Sequence, residues 1–352
     1  MKGDNNDVFI ELLRSGLWEK DVQAFSYNKI DYNKVFKLAH DQAVIGLVAA
    51  GIEHTRKGVI PNDIVLSFVS STLQIEQRNK DMNNFIEDLV KKMRDADIYT
   101  LLVKGQGVAQ CYERPLWRTS GDIDFLLSPN NYIKAKRLLF TMASSVRNEA
   151  YYSLHQGLYI GQWNIELHGT LRSGLSSSVD KVIDVVQRDC FYTGSVRSWM
   201  NGNTQVFLPA PTNDVFLVFT HFIKHFYKGG VNIRQICDWC RMIWTYHPKL
   251  DKYKLEKYIS EAGLKSEWAA FAALAVNYLG MPAEAMPFYR SSKKWSKKAD
   301  KIYSIIIKGG DWYKIQDTIA VGKIFPLSVL RFSPGILCNF NWLKIKERLL
   351  RL

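Results

Sequence analysis

Apolar residues recur at three- and four-residue intervals in "DVFIELLRSGL", "YNKVFKLAHDQAVIGLVAAGI" and "DIVLSFVSSTLQIEQRNKDMNNFIEDLVKKMRDADI". That spacing lines one face of an α-helix and predicts a helical region over 1–95. Pro61, Asn62 and Asp63 have the composition of a helix start.

The pattern then shortens. "YTLLV" and "DIDFLL" are brief apolar runs that stop at "KGQG" and "SPNN", as strands ending in turns do. "GVAQCYE" is long enough for a short helix, "YIKAKRLLFTMA" reads as an amphipathic helix, and "YYSLHQGLYIGQWNIELHG" as two strands or one bent pair around Gly157 to Gly161. This order predicts an α+β core with a small mixed sheet over 96–210. Helical spacing returns in "PAPTNDVFLVFTHFIKHFYK", "IRQICDWCRMIWTYH", "YKLEKYISEAG" and "EWAAFAALAVNYLG", with Pro209, Pro211 and Thr212 marking the boundary. Residues 211–352 are therefore expected to form a C-terminal helical domain ending in a basic tail.

Composition adds three constraints. An apolar content of 47% supports a sizeable core and excludes a mainly disordered chain. Five scattered cysteines do not make a disulfide framework, and no apolar run near the start is long enough to span a bilayer, so a reducing, cytoplasmic setting is expected. The net charge is +13, of which +10 falls within 290–352. Such a segment could meet a polyanion or an anionic membrane surface as a peripheral contact, or could simply be a solvated helical face.

The chemistry concentrates in "RTSGDIDFLL". Side chains alternate along a strand, so Asp122 and Asp124 share one face while Ile123 and Phe125 take the other. An isolated D-x-D is ordinarily a pair of solvated charges or a turn cap, but here the context differs. Upstream, Gly105 and Gly107 allow a tight turn into a helix N-terminus, which presents free N–H groups to phosphate. Downstream, "WNIELHG" puts Glu166 and His168 on one strand face and offers a third carboxylate. Two like charges so close repel unless one is protonated or a cation lies between them.

Taken together, "LLVKGQGVAQCYERPLWRTSGDIDFLLSP" resembles the active-site signature of the nucleotidyltransferase superfamily that includes DNA polymerase beta. More narrowly, Lys104-Gly105, Tyr112, Arg118, Asp122 to Asp124, the "ELH" of Glu166 to His168 and "HFIKHFYKGGVNIRQICDW" resemble a bacterial group of uncharacterised nucleotidyltransferases, over roughly 80–245. Two departures stand out: Gln106 follows Gly105 where the superfamily commonly has serine or glycine, and Glu166 with His168-Gly169 replaces an aspartate followed later by His-Trp.

The resemblance implies a polymerase beta-like core that moves a nucleoside monophosphate from an NTP, with ATP as the default, to an acceptor hydroxyl or phosphate and releases pyrophosphate. It implies Mg²⁺ or Mn²⁺ held by Asp122, Asp124 and Glu166, with Glu166 also taking the acceptor's proton. Lys104, Arg118 and the backbone of Gly105, Gln106 and Gly107 would meet the triphosphate. His168, His221, His225, Lys228 and Arg234 are expected near the cleft. The group's association with cell-surface polysaccharide makes a saccharide or lipid-linked saccharide one candidate acceptor, beside an aminoglycoside-like molecule, a protein side chain or a nucleic acid end.

Other motifs carry less. His221 and His225 have zinc-ligand spacing without the glutamate of a metalloprotease helix, so packing is the expectation. Arg234 and Asp238 are spaced for an intrahelical pair, and "CDWC" lacks a second cysteine pair. "GQGVAQ" does not complete a dinucleotide fingerprint. The alternative to an enzyme is a catalytically silent module that binds nucleotide or docks through "KKWSKKADKIYSIIIK" and "NWLKIKERLLRL", which mix basic and apolar residues as interfacial helices do.

Overall fold

A computed structural model describes residues 4–22, 30–56, 59–150, 154–228, 230–308 and 321–332. The expected α+β class holds: a small mixed sheet lies between helical regions from the two ends of the chain.

The N-terminal region forms α1 (Asn5–Trp18), α2 (Tyr32–Asp41), α3 (Ile45–Glu53) and α4 (Asn62–Asp95). Asp4 opens α1 with a capping box to Asp7, which satisfies N–H groups that the first turn leaves free. Pro61 precedes α4, as the pattern predicts. This long helix serves two cores. Its first turns put Ile64 and Phe68 among the helices, and its last put Met82, Ile86, Leu89 and Met93 against the sheet.

The sheet runs β1 (Thr100–Val103), β2 (Ile123–Leu127), β5 (Trp163–His168), β4 (His155–Ile160), β3 (Ser145–Val146) in spatial order. Only the central β2–β5 pair is parallel. Leu102, Ile123, Phe125, Leu127, Ile165 and Leu167 project to one face and pack on α4 and α6 (Pro129–Phe140). The opposite face of the same strands carries Asp124, Glu166 and His168, as the two-residue period requires. Between β1 and β2 lies α5 (Gly105–Ala109).

Pattern reading assigns no element to 177–209, where the chain forms α7 (Ser177–Tyr192) and a hairpin of β6 (Val196–Asn201) and β7 (Thr204–Pro209). The hairpin packs beside β1 as a separate two-stranded sheet. Helices α8 (Pro211–Lys228), α9 (Ile233–Tyr246), α10 (Lys252–Glu261), α11 (Lys265–Asn277) and α12 (Lys293–Ile307) follow, then a helix over Pro326–Phe332. They share one apolar core with α1 to α3, dominated by Phe216, Phe219, Phe222, Trp239, Trp268 and Phe271.

Cys111, Cys190, Cys237 and Cys240 are free and buried, so "CDWC" is helix packing. Among the described residues no helix is long and apolar enough to cross a membrane. In α12 the apolar side, with Ala299, Ile302 and Ile306, sits in the core, while Lys293, Lys294, Lys297 and Lys301 are exposed. "NWLKIKERLLRL" lies outside the described residues.

Candidate active site

The register of the central strands builds the site. Asp124 is the Cα partner of Val103 on one side and of Glu166 on the other, and Leu126 is opposite His168. Asp122 stands one residue ahead of β2, on the same face. Carboxylate oxygens of Asp122, Asp124 and Glu166 accordingly lie within 4.8 Å of one another. On the far side of β5 the antiparallel register sets His155 opposite His168 and Gly157 opposite Glu166.

Charge in this cluster is unevenly compensated. Lys104 Nζ and His168 Nε2 approach Asp124 Oδ1 at 2.8 and 2.7 Å. Asp124 Oδ2 is buried with no hydrogen-bond partner. Burial works against the Asp124 charge, yet Lys104 and His168 hold its carboxyl well below the usual range. Asp122 is less well compensated: the neighbouring Asp124 charge, then burial, outweighs the pull of Lys104 and pushes it up to about 6. Glu166 is held low, first by His155, whose Nε2 lies 3.1 Å from Oε2. A buried, orphaned carboxylate oxygen beside two further carboxylates is a donor set of hard oxygens suited to a divalent cation. Asp122, Asp124 and Glu166 thus fit the metal that the signature implies.

The glycine turn closes over this cluster. Gly105 has a φ of +40°, and a Cβ there would meet the backbone oxygen of Asp122 at 3.4 Å. Lys104 itself sits at φ +59°, a strained conformation for a residue with a Cβ, and its ammonium reaches back to Asp124. Burial opposes that ammonium's charge, but Asp124 raises its pKa above the ordinary lysine value. The first N–H groups of α5 have no carbonyl to pair with inside the helix. The Gln106 side chain turns away from the cluster, donating to Asn79 Oδ1 at 2.7 Å.

Arg118 is almost wholly buried. Its Nε and Nη2 donate to the two oxygens of Asp238, each at 2.7 Å, and Nη1 to Ser120 Oγ at 2.9 Å. Tyr112 donates to the same Asp238 oxygen as Nε. Asp238 therefore pairs with Arg118 and not with Arg234, as the helical spacing would have it; Arg234 Nη1 donates to the Thr119 carbonyl at 2.6 Å. Asn79 holds the same loop from α4, donating to the carbonyls of Leu116 and Arg118. The segment leading to Asp122 is thus fixed from two sides.

A cavity of about 500 Å³ opens above the carboxylates, within the range of small-molecule sites. Its opposite wall is the stripe of α8 that carries His221, Lys224 and His225, completed by Arg234 on α9. The rings of His221 and His225 meet edge-on at 4.6 Å. Burial lowers the pKa of both imidazoles, that of His225 to about 4, so both are neutral at neutral pH. Lys228, one turn farther along, donates to the Gly174 carbonyl at 2.8 Å.

Two residues at the site escape a reading of the sequence alone. His155 is signalled only by hairpin register: the two-residue turn after Ile160 fixes its position opposite His168. Lys224 is signalled by the stripe 214, 217, 218, 221, 224, 225 along α8, each of which lines the cavity.

A family described as "Uncharacterised nucleotidyltransferase" matches the chain over residues 28–280. No curated protein and no solved structure matches it.

Proposed function

The chain belongs to the family of uncharacterised nucleotidyltransferases, and on that premise we propose that it transfers a nucleoside monophosphate from an NTP, with ATP as the first candidate, to an acceptor oxygen, releasing pyrophosphate. The observation that carries this reading is the β2–β5 register, which brings Asp122, Asp124 and Glu166 together beside a cavity that Lys224 and Arg234 also line.

Asp122, Asp124 and Glu166 would hold divalent cations, Mg²⁺ or Mn²⁺, which supply charge neutralisation at the reacting phosphate and a lowered pKa for the attacking hydroxyl. The chain's own groups do the rest. The backbone N–H groups of Gly105, Gln106 and Gly107 would meet the terminal phosphates, and Lys104 would add its ammonium charge to them. Glu166, ionised at neutral pH, would accept the acceptor's proton. Arg118, bound to Asp238 and Ser120, would hold the loop that aims Asp122 and present its edge to the cavity. His221, His225 and Arg234 would border nucleotide or acceptor, for which a saccharide or lipid-linked saccharide is the class to test first, whereas Lys228 is exposed and bound to the Gly174 carbonyl, outside the cavity lining.

A catalytically silent docking module has less behind it: the three acids are all present, and the apolar side of α12 is already used by the core. The test is incubation of the protein with Mg²⁺, labelled NTP and a panel of saccharide acceptors. Pyrophosphate release and label transfer are expected in the wild type and not in an Asp122→Asn/Asp124→Asn double variant. Equal Mg²⁺-NTP binding and turnover by the two proteins would overturn the proposal.

A further inference from the structure

Beside the three carboxylates lies a second set of donors, of different chemistry. His155 Nε2 is 3.1 Å from Glu166 Oε2, and His168 Nε2 is 3.7 Å from the same oxygen. The three donor atoms lie within 4.8 Å of one another. Donors bound to one tetrahedral ion at about 2.1 Å stand about 3.4 Å apart, a value these two separations bracket.

The backbone explains the convergence. His155 and His168 are Cα partners across the β4–β5 ladder, and their rings stack at 4.8 Å. Glu166, two residues before His168, is on the same face, and its own partner is Gly157. With no side chain at 157, the Arg147 side chain lies over that position and its Nη1 comes within 3.9 Å of Glu166 Oε1, leaving Oε2 to His155.

From this geometry we propose that His155, His168 and Glu166 form a second cation position, which takes a nitrogen-accepting divalent transition ion such as Mn²⁺ or Zn²⁺ and shares Glu166 with the carboxylate position. The inference deepens the proposed function and rests on that reading for the role of the shared glutamate. Imidazole nitrogen suits Zn²⁺, is accepted by Mn²⁺ beside oxygen donors, and does not suit Mg²⁺, which prefers oxygen. The His168 proton now facing Asp124 would move to Nδ1 on ligation, leaving Nε2 as the donor. The two positions would then discriminate: oxygen donors for the ion under the triphosphate, mixed nitrogen and oxygen donors for its neighbour.

Pulsed electron paramagnetic resonance of the full chain carrying less than one equivalent of Mn²⁺, in excess Mg²⁺, tests this without any variant. Coupling to directly bound histidine nitrogen is expected. A spectrum showing only oxygen ligands overturns the inference. Zn²⁺ titration in the same excess of Mg²⁺ gives a second reading: His155→Ala and His168→Ala should each weaken Zn²⁺ binding at least tenfold, and Asp122→Asn should leave it within about threefold. Zn²⁺ affinity equal in wild type and His155→Ala would equally overturn the proposal. Nitrogen coupling without NTP turnover would sink the proposed function and leave this site standing; turnover with oxygen ligands alone would do the reverse.

Discussion

Arg118 and Asp238, 120 positions apart in the chain, meet end to end through two hydrogen bonds of 2.7 Å, and both are buried. One belongs to the segment that leads into β2, the other to α9. Their pairing ties the carboxylate strand to the C-terminal helices, so the cavity is bounded by elements that cannot drift apart independently.

Removing one partner of a buried ion pair leaves the other charged and unpaired. Asp238→Ala should therefore lower unfolding free energy by about 3–5 kcal/mol in urea titration. The loop before Asp122 is held by the same arginine, so Mg²⁺-NTP affinity of the folded variant should fall as well. Unchanged stability would show that Arg118 finds another partner.

Asp122 gives a prediction of opposite sign. Its folded pKa, about 6, is raised above the ordinary aspartate value by the Asp124 charge and by burial. The stability it contributes is fully present below the unfolded pKa near 3.8 and is lost as pH rises through about 6. Without metal, Asp122→Asn should thus be more stable than wild type at pH 7–8, by on the order of 1–3 kcal/mol. The gain should vanish below about pH 4. Chemical denaturation in chelator between pH 4 and 8 checks this, and saturating Mg²⁺ should shrink the difference. An Asp122→Asn variant less stable than wild type at pH 8 in chelator would contradict the charge argument.

Lys104 combines a left-handed backbone with a charge that Asp124 uses. Its two contributions separate by substitution. Lys104→Gly and Lys104→Ala both remove the ammonium, but only glycine relieves the positive φ, so the glycine variant should be the more stable by about 1 kcal/mol. Both should lose NTP turnover to a similar degree. Equal stabilities would show that the backbone relaxes when the Lys104–Asp124 bridge is cut.

Much of the site follows from local periodicity. Asp124, Glu166 and His168 share a face because strands alternate, and α4 begins just after Pro61 because proline fits the edge of a helix. What is missed lies in long-range pairing. Nothing near Gln106 indicates that its amide turns to Asn79 on α4, and nothing near Arg118 indicates Asp238, because a buried arginine takes whichever carboxylate the fold brings to it. Helical spacing offers Arg234 for that carboxylate, and tertiary packing overrides it. The β6–β7 hairpin is obscured because "VRSWMN" mixes exposed polar and apolar residues and carries little alternation. His155 lies between these cases: a two-residue hairpin turn determines its partner once the turn is located.

The cationic wall opposite the carboxylates makes the last prediction. Lys224 faces the cavity from α8, and its pKa is held below the ordinary lysine value by burial, then by the ammonium groups of Lys104 and Lys228. Like charges gathered around a cavity raise the free energy of the empty site, and an anion placed among them relieves that repulsion. Lys224→Ala should therefore weaken Mg²⁺-NTP binding by about 1.5–3 kcal/mol, the range for a charge-assisted hydrogen bond, or roughly ten- to a hundredfold in Kd. Lys228 is exposed and already donates to the Gly174 carbonyl, so Lys228→Ala should change Kd by less than threefold, on the order of 0.5 kcal/mol. Calorimetric titration at two salt concentrations measures both, and the Lys224 effect should shrink less with added salt than an exposed charge's would. Equal Kd values for Lys224→Ala and wild type would show that the triphosphate is held by the glycine turn alone and gains nothing from Lys224.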